Sequence, residues 1–302
     1  MNPTDDRTAD KKATAQGLVT YILWGFTALY WPLIKQAGAL ELLANRVLWS
    51  LVLVVIMLVV LRKPWTWLKS LRYLWPRLLA ASVFIALNWL TYIWAVNNGH
   101  VAEASLGYFL NPLLNVILGM IVFGERPARQ SLVGIGFAAI GVAVIAVVMT
   151  RTIWVALVLA STFAIYGVFK KRAVLGALEG LAVESGVLVP IALGYLIWLG
   201  PDQHLGTGVA PTLLLIGAGV ITAGPLYLFA VAAPRIPLGT LGMMQFISPT
   251  IQLLTGIFVL HQVVPPLYFV GLALVWIGLG FYLTGSLRNT RRMALVAGQL
   301  PD

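Results

Sequence analysis

The sequence predicts an all-α membrane protein: ten transmembrane helices arranged as two inverted five-helix repeats. Three observations carry that expectation. Sixty per cent of the 302 residues are apolar and 10% charged, with a mean hydropathy of +0.91, which is more apolar surface than a water-soluble domain can hide. The apolar residues fall into ten runs of about 20, the length that crosses a hydrocarbon core. The two halves of the chain also resemble each other in order and spacing.

The ten runs lie at 16–34, 39–61, 76–97, 103–124, 130–149, 152–170, 179–199, 212–233, 238–260 and 266–286. Residues 1–15 are polar and hold Asp5, Asp6 and Asp10, so they read as a disordered cytoplasmic tail rather than a secretory signal. Residues 287–302 form a second tail. The first repeat is expected over 16–149 and the second over 150–286.

The formal net charge is +10, and its placement decides its meaning. Seventeen of the 20 lysines and arginines sit on the side of the N-terminus, among them Lys11, Lys12, Arg62, Lys63, Lys69, Arg72, Lys170, Lys171 and Arg172. This bias puts both termini in the cytoplasm. It makes the charge a topology signal and a contact for anionic lipid headgroups on that side; nucleic acid is not an expected partner. The chain has no cysteine, which excludes disulfides and thiolate chemistry. Its three histidines are far apart in sequence, so no metal site and no cofactor are expected.

The repeat rests on several matches. GALELLANR (Gly38–Arg46) returns as GALEGLAVE (Gly176–Glu184) 138 residues later, and NPLLNVILG (Asn111–Gly119) answers SPTIQLLTG (Ser248–Gly256) at an offset of 137. Gly134 and Gly141 answer Gly271 and Gly278 at the same offset. Five spans per half is odd, so the second half enters the bilayer upside down, an arrangement typical of carriers built around one central site.

Within the spans, polar residues are costly and mark either packing or a site. Gly107, Asn111, Asn115 and Gly119 recur every four residues, so they share a helix face, and Ser248, Gln252 and Gly256 repeat the device. Pro112 and Pro249 each lack the N–H that would bind the carbonyl four residues earlier, on Tyr108 and Gln245. With a rise of 1.5 Å per residue they lie roughly 14 and 16 Å deep. Asn88, Tyr92, Trp89 and Trp94 in the third span and Trp24 in the first add polar and aromatic groups. On geometry alone, interhelical packing and a cavity lining are balanced for the amides, whereas the glycines read as close-packing positions.

Three charges lie within the spans. Arg46 is roughly 10 Å below the outer surface, and Glu184, its repeat counterpart, roughly 8 Å from the inner one. Opposite leaflets exclude a pair between them. Glu103 shares the outer side with Arg46, so an Arg46–Glu103 ion pair is expected to hold an outer gate; direct contact of Arg46 with substrate is the second reading, and snorkelling of its long side chain to the surface the bland one. Glu184 is expected either to pair with Lys170, Lys171 or Arg172 or to carry a coupling proton.

The stretch NWLTYIWAVNNGHVAEASLGYFLNPLLNVILGMIVFGERP, with ELLANRVLWS (Glu41–Ser50) and LGMMQFISPTIQLL (Leu241–Leu254), resembles the RarD-type permeases of the EamA group, in the drug/metabolite transporter superfamily. The resemblance covers about residues 17–285. It implies a bacterial inner-membrane carrier with a central cavity, and its name is tied to chloramphenicol. It turns the amides toward that cavity, so the expected substrate-binding set is Trp24, Asn88, Tyr92, Tyr108, Asn111, Asn115, Gln245, Ser248 and Gln252. One departure is visible: the family's Gly-Glu is present at Gly124-Glu125, but its second copy reads His261-Gln262.

The expected function is secondary transport of a small organic solute, amino-acid-like or drug-like, by alternating access. A channel or a non-transporting receptor is the alternative. No GxxxxGK[ST], HExxH or GxSxG motif is present, so direct use of ATP and two hydrolase chemistries have no residues to carry them.

Overall fold

A computed structural model describes residues 3–124, 129–173, 175–236 and 244–297. Its helices are α1 (Pro3–Tyr30), α2 (Gly38–Val60), α3 (Leu71–Asn97), α4 (Val101–Phe123), α5 (Arg129–Val148), α6 (Ile153–Ala173), α7 (Ala177–Leu199), α8 (Val209–Ala232), α9 (Ile247–Leu254) and α10 (Pro266–Ala297). There is no strand among the described residues. Among the described residues six stretches are long and apolar enough to cross a bilayer, the first of which, Lys11–Val60, takes in most of α1 and all of α2. Shorter apolar helices follow at Leu132–Val148, Ile247–Val259 and Pro266–Tyr282. The chain is therefore a multi-pass helical membrane protein.

Several boundaries differ from the sequence expectation. The N-terminal tail is not a coil: α1 starts at Pro3, and Ala13, Ala15 and Gln16, good helix formers, carry it into the apolar run. At the other end α10 continues past residue 286 to Ala297. The first span ends at Tyr30, where Pro32 lacks an N–H and the chain tightens into a 3₁₀ turn over Trp31–Ala37. The expected ninth span is not continuous, although 237–243 lie outside the described residues. A turn at Gln245–Phe246 precedes α9, which places Pro249 in a first turn. There its missing N–H has no helical partner to lose, so the expected mid-helix break is instead a helix start. α9 then widens into a π-helical turn at Thr255–Val259. Pro112, by contrast, lies inside an unbroken α4.

The exterior is apolar. Ile121, Val147, Ile191, Ile197, Trp198 and Val209 are each more than 70% exposed, as expected of side chains that face lipid rather than water. The interior is mixed, and Thr20, Asn45, Asn88, Ser105, Asn111 and Glu184 are buried beside the aliphatic core.

Packing is closest where α5 crosses α10. A Cβ on Gly141 would lie 2.5 Å from the Gly271 carbonyl oxygen, and one on Gly278 would lie 2.5 Å from that of Gly134. Only glycine lets two backbones approach this far. Gly107 does the same for α4 on α6, where a Cβ would meet the Ala156 oxygen at 2.9 Å. The glycine stripe is thus a packing device, as its spacing predicts.

The connections that follow α1, α3, α5, α7 and α9 gather at one end of the bundle, away from the termini, and are tied together there. Glu41, buried at the start of α2, accepts the His204 backbone N–H at 2.6 Å and faces His204 Nδ1 at 2.9 Å. His100 stacks on Trp94, which also meets Trp154.

Candidate functional site

Arg46 is the ninth residue of α2, and its side chain turns into the bundle rather than up toward the surface. Its guanidinium carbon sits 4.1 Å from the centre of the Trp89 ring and 5.2 Å from that of Trp31. Such stacking on indole faces contributes about 0.5–2 kcal/mol per ring. Tyr92 and Tyr108 are within electrostatic reach. Among the described residues the guanidinium has no hydrogen-bond or ion-pair partner, and its Nε is buried without one.

The expected Arg46–Glu103 pair is therefore not formed. Glu103 lies in the first turn of α4, faced by His100 Nδ1 at 3.3 Å, and it accepts a hydrogen bond from Gln262 Nε2 at 2.8 Å. Gln262 Oε1 accepts the Ala102 N–H at 2.8 Å, one of the free donors that begin every helix. A single glutamine so caps α4 and holds its buried carboxylate. The residue before it keeps the repeat: His261 has φ +52 and its counterpart Gly124 has φ +64. Glu125 lies outside the described residues. Replacing Gln262 with Leu would leave the Ala102 N–H unpaired and Glu103 with His100 alone. We expect a loss of about 1–3 kcal/mol, read as a lower melting temperature in detergent, with Gln262→Glu no better because it sets two carboxylates together.

A polar chain runs beneath Arg46. Thr27 Oγ1 and the Tyr92 hydroxyl are 3.1 Å apart. The Tyr92 and Tyr108 rings meet edge to face at 5.6 Å, and the Tyr108 hydroxyl donates to Asn88 Oδ1 at 3.3 Å. Asn88 Nδ2 donates in turn to the Leu159 carbonyl at 2.8 Å and to Thr162 Oγ1 at 3.0 Å. Asn88, Tyr92 and Tyr108 are thus brought together, and α1, α3, α4 and α6 are fixed around them.

The amide face divides. Asn115 is exposed, but Asn111 and Gln252 are only 2% and 3% exposed, so the expectation that all three line open space is corrected. The reason is a tight α4–α9 contact: Ser105 Oγ donates to the Pro249 carbonyl at 2.7 Å, and Phe109 stacks on Phe246. Gln252 Nε2 donates to the Trp24 carbonyl and to Ser248 Oγ, both at 3.3 Å. Asn111 Oδ1 and Gln252 Oε1 remain buried without partners. Gln245 sits in the turn before α9. Trp24 itself packs on Tyr21 and Phe229, and Trp94 belongs to the loop end.

Of the three expected basic partners, Glu184 meets Lys170. Lys170 Nζ lies 2.5 Å from its Oε1, and the Tyr166 hydroxyl donates at 3.2 Å; the side chains of Lys171 and Arg172 lie outside the described set. Trp31, Thr27, Thr162 and the role of Gln262 escaped the sequence reading. Trp31 stands beside Pro32, where the helix ends, and no periodicity marks it.

Residues 12–147 match the EamA-like transporter family. Protein RarD of Streptomyces exfoliatus is 44% identical over 283 residues, 91% of this chain and 89% of that protein. The chain is a RarD-type member of the EamA family. The uncharacterized transporter YojE of Bacillus subtilis is 45% identical over 258 residues, 83% of this chain and 87% of its own. A solved crystal structure 18% identical in sequence superposes with a TM-score of 0.59 over 90% of this chain and 97% of that one, a likeness of fold alone. Members of the family carry transporter names, and this RarD-type chain is a transporter rather than an enzyme.

Proposed function

We propose that this RarD-type chain is a secondary carrier that moves a small organic solute, amino-acid-like or drug-like, across the bacterial cytoplasmic membrane. It does so by alternating access of two inverted five-helix halves, 16–149 and 150–286, with both termini in the cytoplasm and anionic headgroups against the basic loops there. The observation that supports this reading most is the self-matching of the contacts. If each residue in α1–α5 is mapped 137 positions on, α3 packs on α6 as α8 packs on α1, and α4 on α6 as α9 on α1. The pairs α2–α7, α4–α9 and α5–α10 each map onto themselves. The Gly134–Gly278 contact maps onto Gly141–Gly271. Two related bundles with equivalent contacts can exchange roles, which is what alternating access requires.

The tied loop end and the exposed Asn115 on the other side support a state shut away from the termini. A coupling proton is consistent with Glu184, which changes partner when α6 and α7 move apart. The test is counterflow in proteoliposomes with a panel of radiolabelled amino acids and chloramphenicol. Saturable uptake that requires internal unlabelled solute is the expected result. Linear, unsaturable flux would point to a channel, and no flux to a receptor.

A further inference from the structure

We propose that Arg46 is the anchor for the substrate's negative charge, and that the solute carried is a monoanion, a single carboxylate on a planar or apolar body. The proposal rests on the carrier reading above and gives the substrate class for that same site. It starts from a charge without a counter-charge. Among the described residues the buried carboxylates all have partners: Glu184 has Lys170, Glu103 has Gln262 and His100, and Glu41 has His204. Arg46 has two indole faces and no acceptor.

Aromatic faces hold a guanidinium in place without using its N–H groups. With its carbon over the Trp89 ring at 4.1 Å and its Nε without an acceptor, the guanidinium keeps donors for a carboxylate, which it can grip through two parallel hydrogen bonds. Trp89, which is only part-buried, offers flat apolar surface to whatever carries the carboxylate, and the fully buried Trp31 backs the guanidinium. Tyr92, Tyr108 and Asn88 are already hydrogen-bonded among themselves, so they hold the wall rather than compete for the anion.

The charge count limits the ligand. One unpaired cation neutralises one negative charge, and a dianion or a phosphate would keep an uncompensated charge in a low-dielectric interior. A neutral solute would leave the guanidinium as stranded as before. Both are disfavoured against a monoanion.

The experiment pairs each monoanion with its neutral amide: phenylacetate against phenylacetamide and 3-phenylpropionate against 3-phenylpropionamide. Binding to the purified chain in detergent is measured by thermal shift and by tryptophan fluorescence, with sodium chloride as a separate titrant. At least tenfold tighter binding of the acids is expected, lost in Arg46→Gln and only partly kept in Arg46→Lys, which preserves the charge but not the planar pair of donors. Each variant is first checked for a single size-exclusion peak. If Arg46→Gln does not fold, the wild-type acid–amide comparison and Arg46→Lys still decide. Equal binding of acid and amide, a response to chloride alone, or acid binding unaltered in Arg46→Gln would overturn the proposal. Counterflow with the same acids separates the two claims: acid binding without exchange keeps the anion site and removes the carrier, while exchange of amides at undiminished rate in Arg46→Gln does the reverse.

Discussion

Replacing Lys170 with Met is expected to lower the stability of the chain by about 3 kcal/mol, the lower part of the range for breaking a buried ion pair. The lower part applies because the Lys170 side chain is 23% exposed whereas that of Glu184 is 2% exposed; water screens one partner and not the other. Without the ammonium, the carboxylate keeps only the Tyr166 hydroxyl. A second substitution, Glu184→Gln, removes the stranded charge and keeps a group that can accept from Tyr166. The double variant should therefore recover most of the loss, since a buried pair is far costlier to halve than to neutralise. Thermal melting of the four proteins of this cycle in one detergent provides the measurement. Single-variant stability equal to wild type would show that the pair does not hold α6 to α7.

The second large effect concerns the α5–α10 crossing. Gly278→Ala places a methyl 2.5 Å from the Gly134 oxygen and 2.9 Å from the Ala138 nitrogen. These are backbone atoms, so no side chain can swing aside, and the helices must separate. Overpacking of this kind costs about 1–3 kcal/mol, and here it also opens the neighbouring Gly141–Gly271 contact. Gly280, two residues on, is the control: a Cβ there meets nothing within 4 Å. Gly280→Ala should be neutral or gain up to about 1 kcal/mol from helix propensity. Indistinguishable melting temperatures for Gly278→Ala and Gly280→Ala would mean that the backbones are not in contact.

Much of the fold was legible because a bilayer enforces it. Every backbone group in hydrocarbon needs an internal partner, so apolar runs must be helical, and where they lie appears in the sequence directly. The glycine pairs were legible for a related reason: a glycine inside a good apolar helix has little use other than close approach. Site residues were less visible. Asn88, Tyr92 and Tyr108 were found because polar groups in a span need partners, but which partners they have depends on α6, some 70 residues away in sequence. Asn111 and Gln252 were found for the same reason and misread as open, since a buried amide and a cavity-lining amide have the same sequence signature.

The charges show the division most clearly. By itself the sequence placed Arg46, Glu103 and Glu184 within its apolar runs and, from helix rise and the expected orientation, set Arg46 and Glu184 apart; in the structure Glu184 pairs with Lys170. The sequence could not determine that Glu103 turns to Gln262, 159 residues on, or that Arg46 turns to two tryptophans. Depth is set by position along one helix, which is local information. Direction around that helix acquires meaning only when the other helices are in place, and that is a property of the packed bundle.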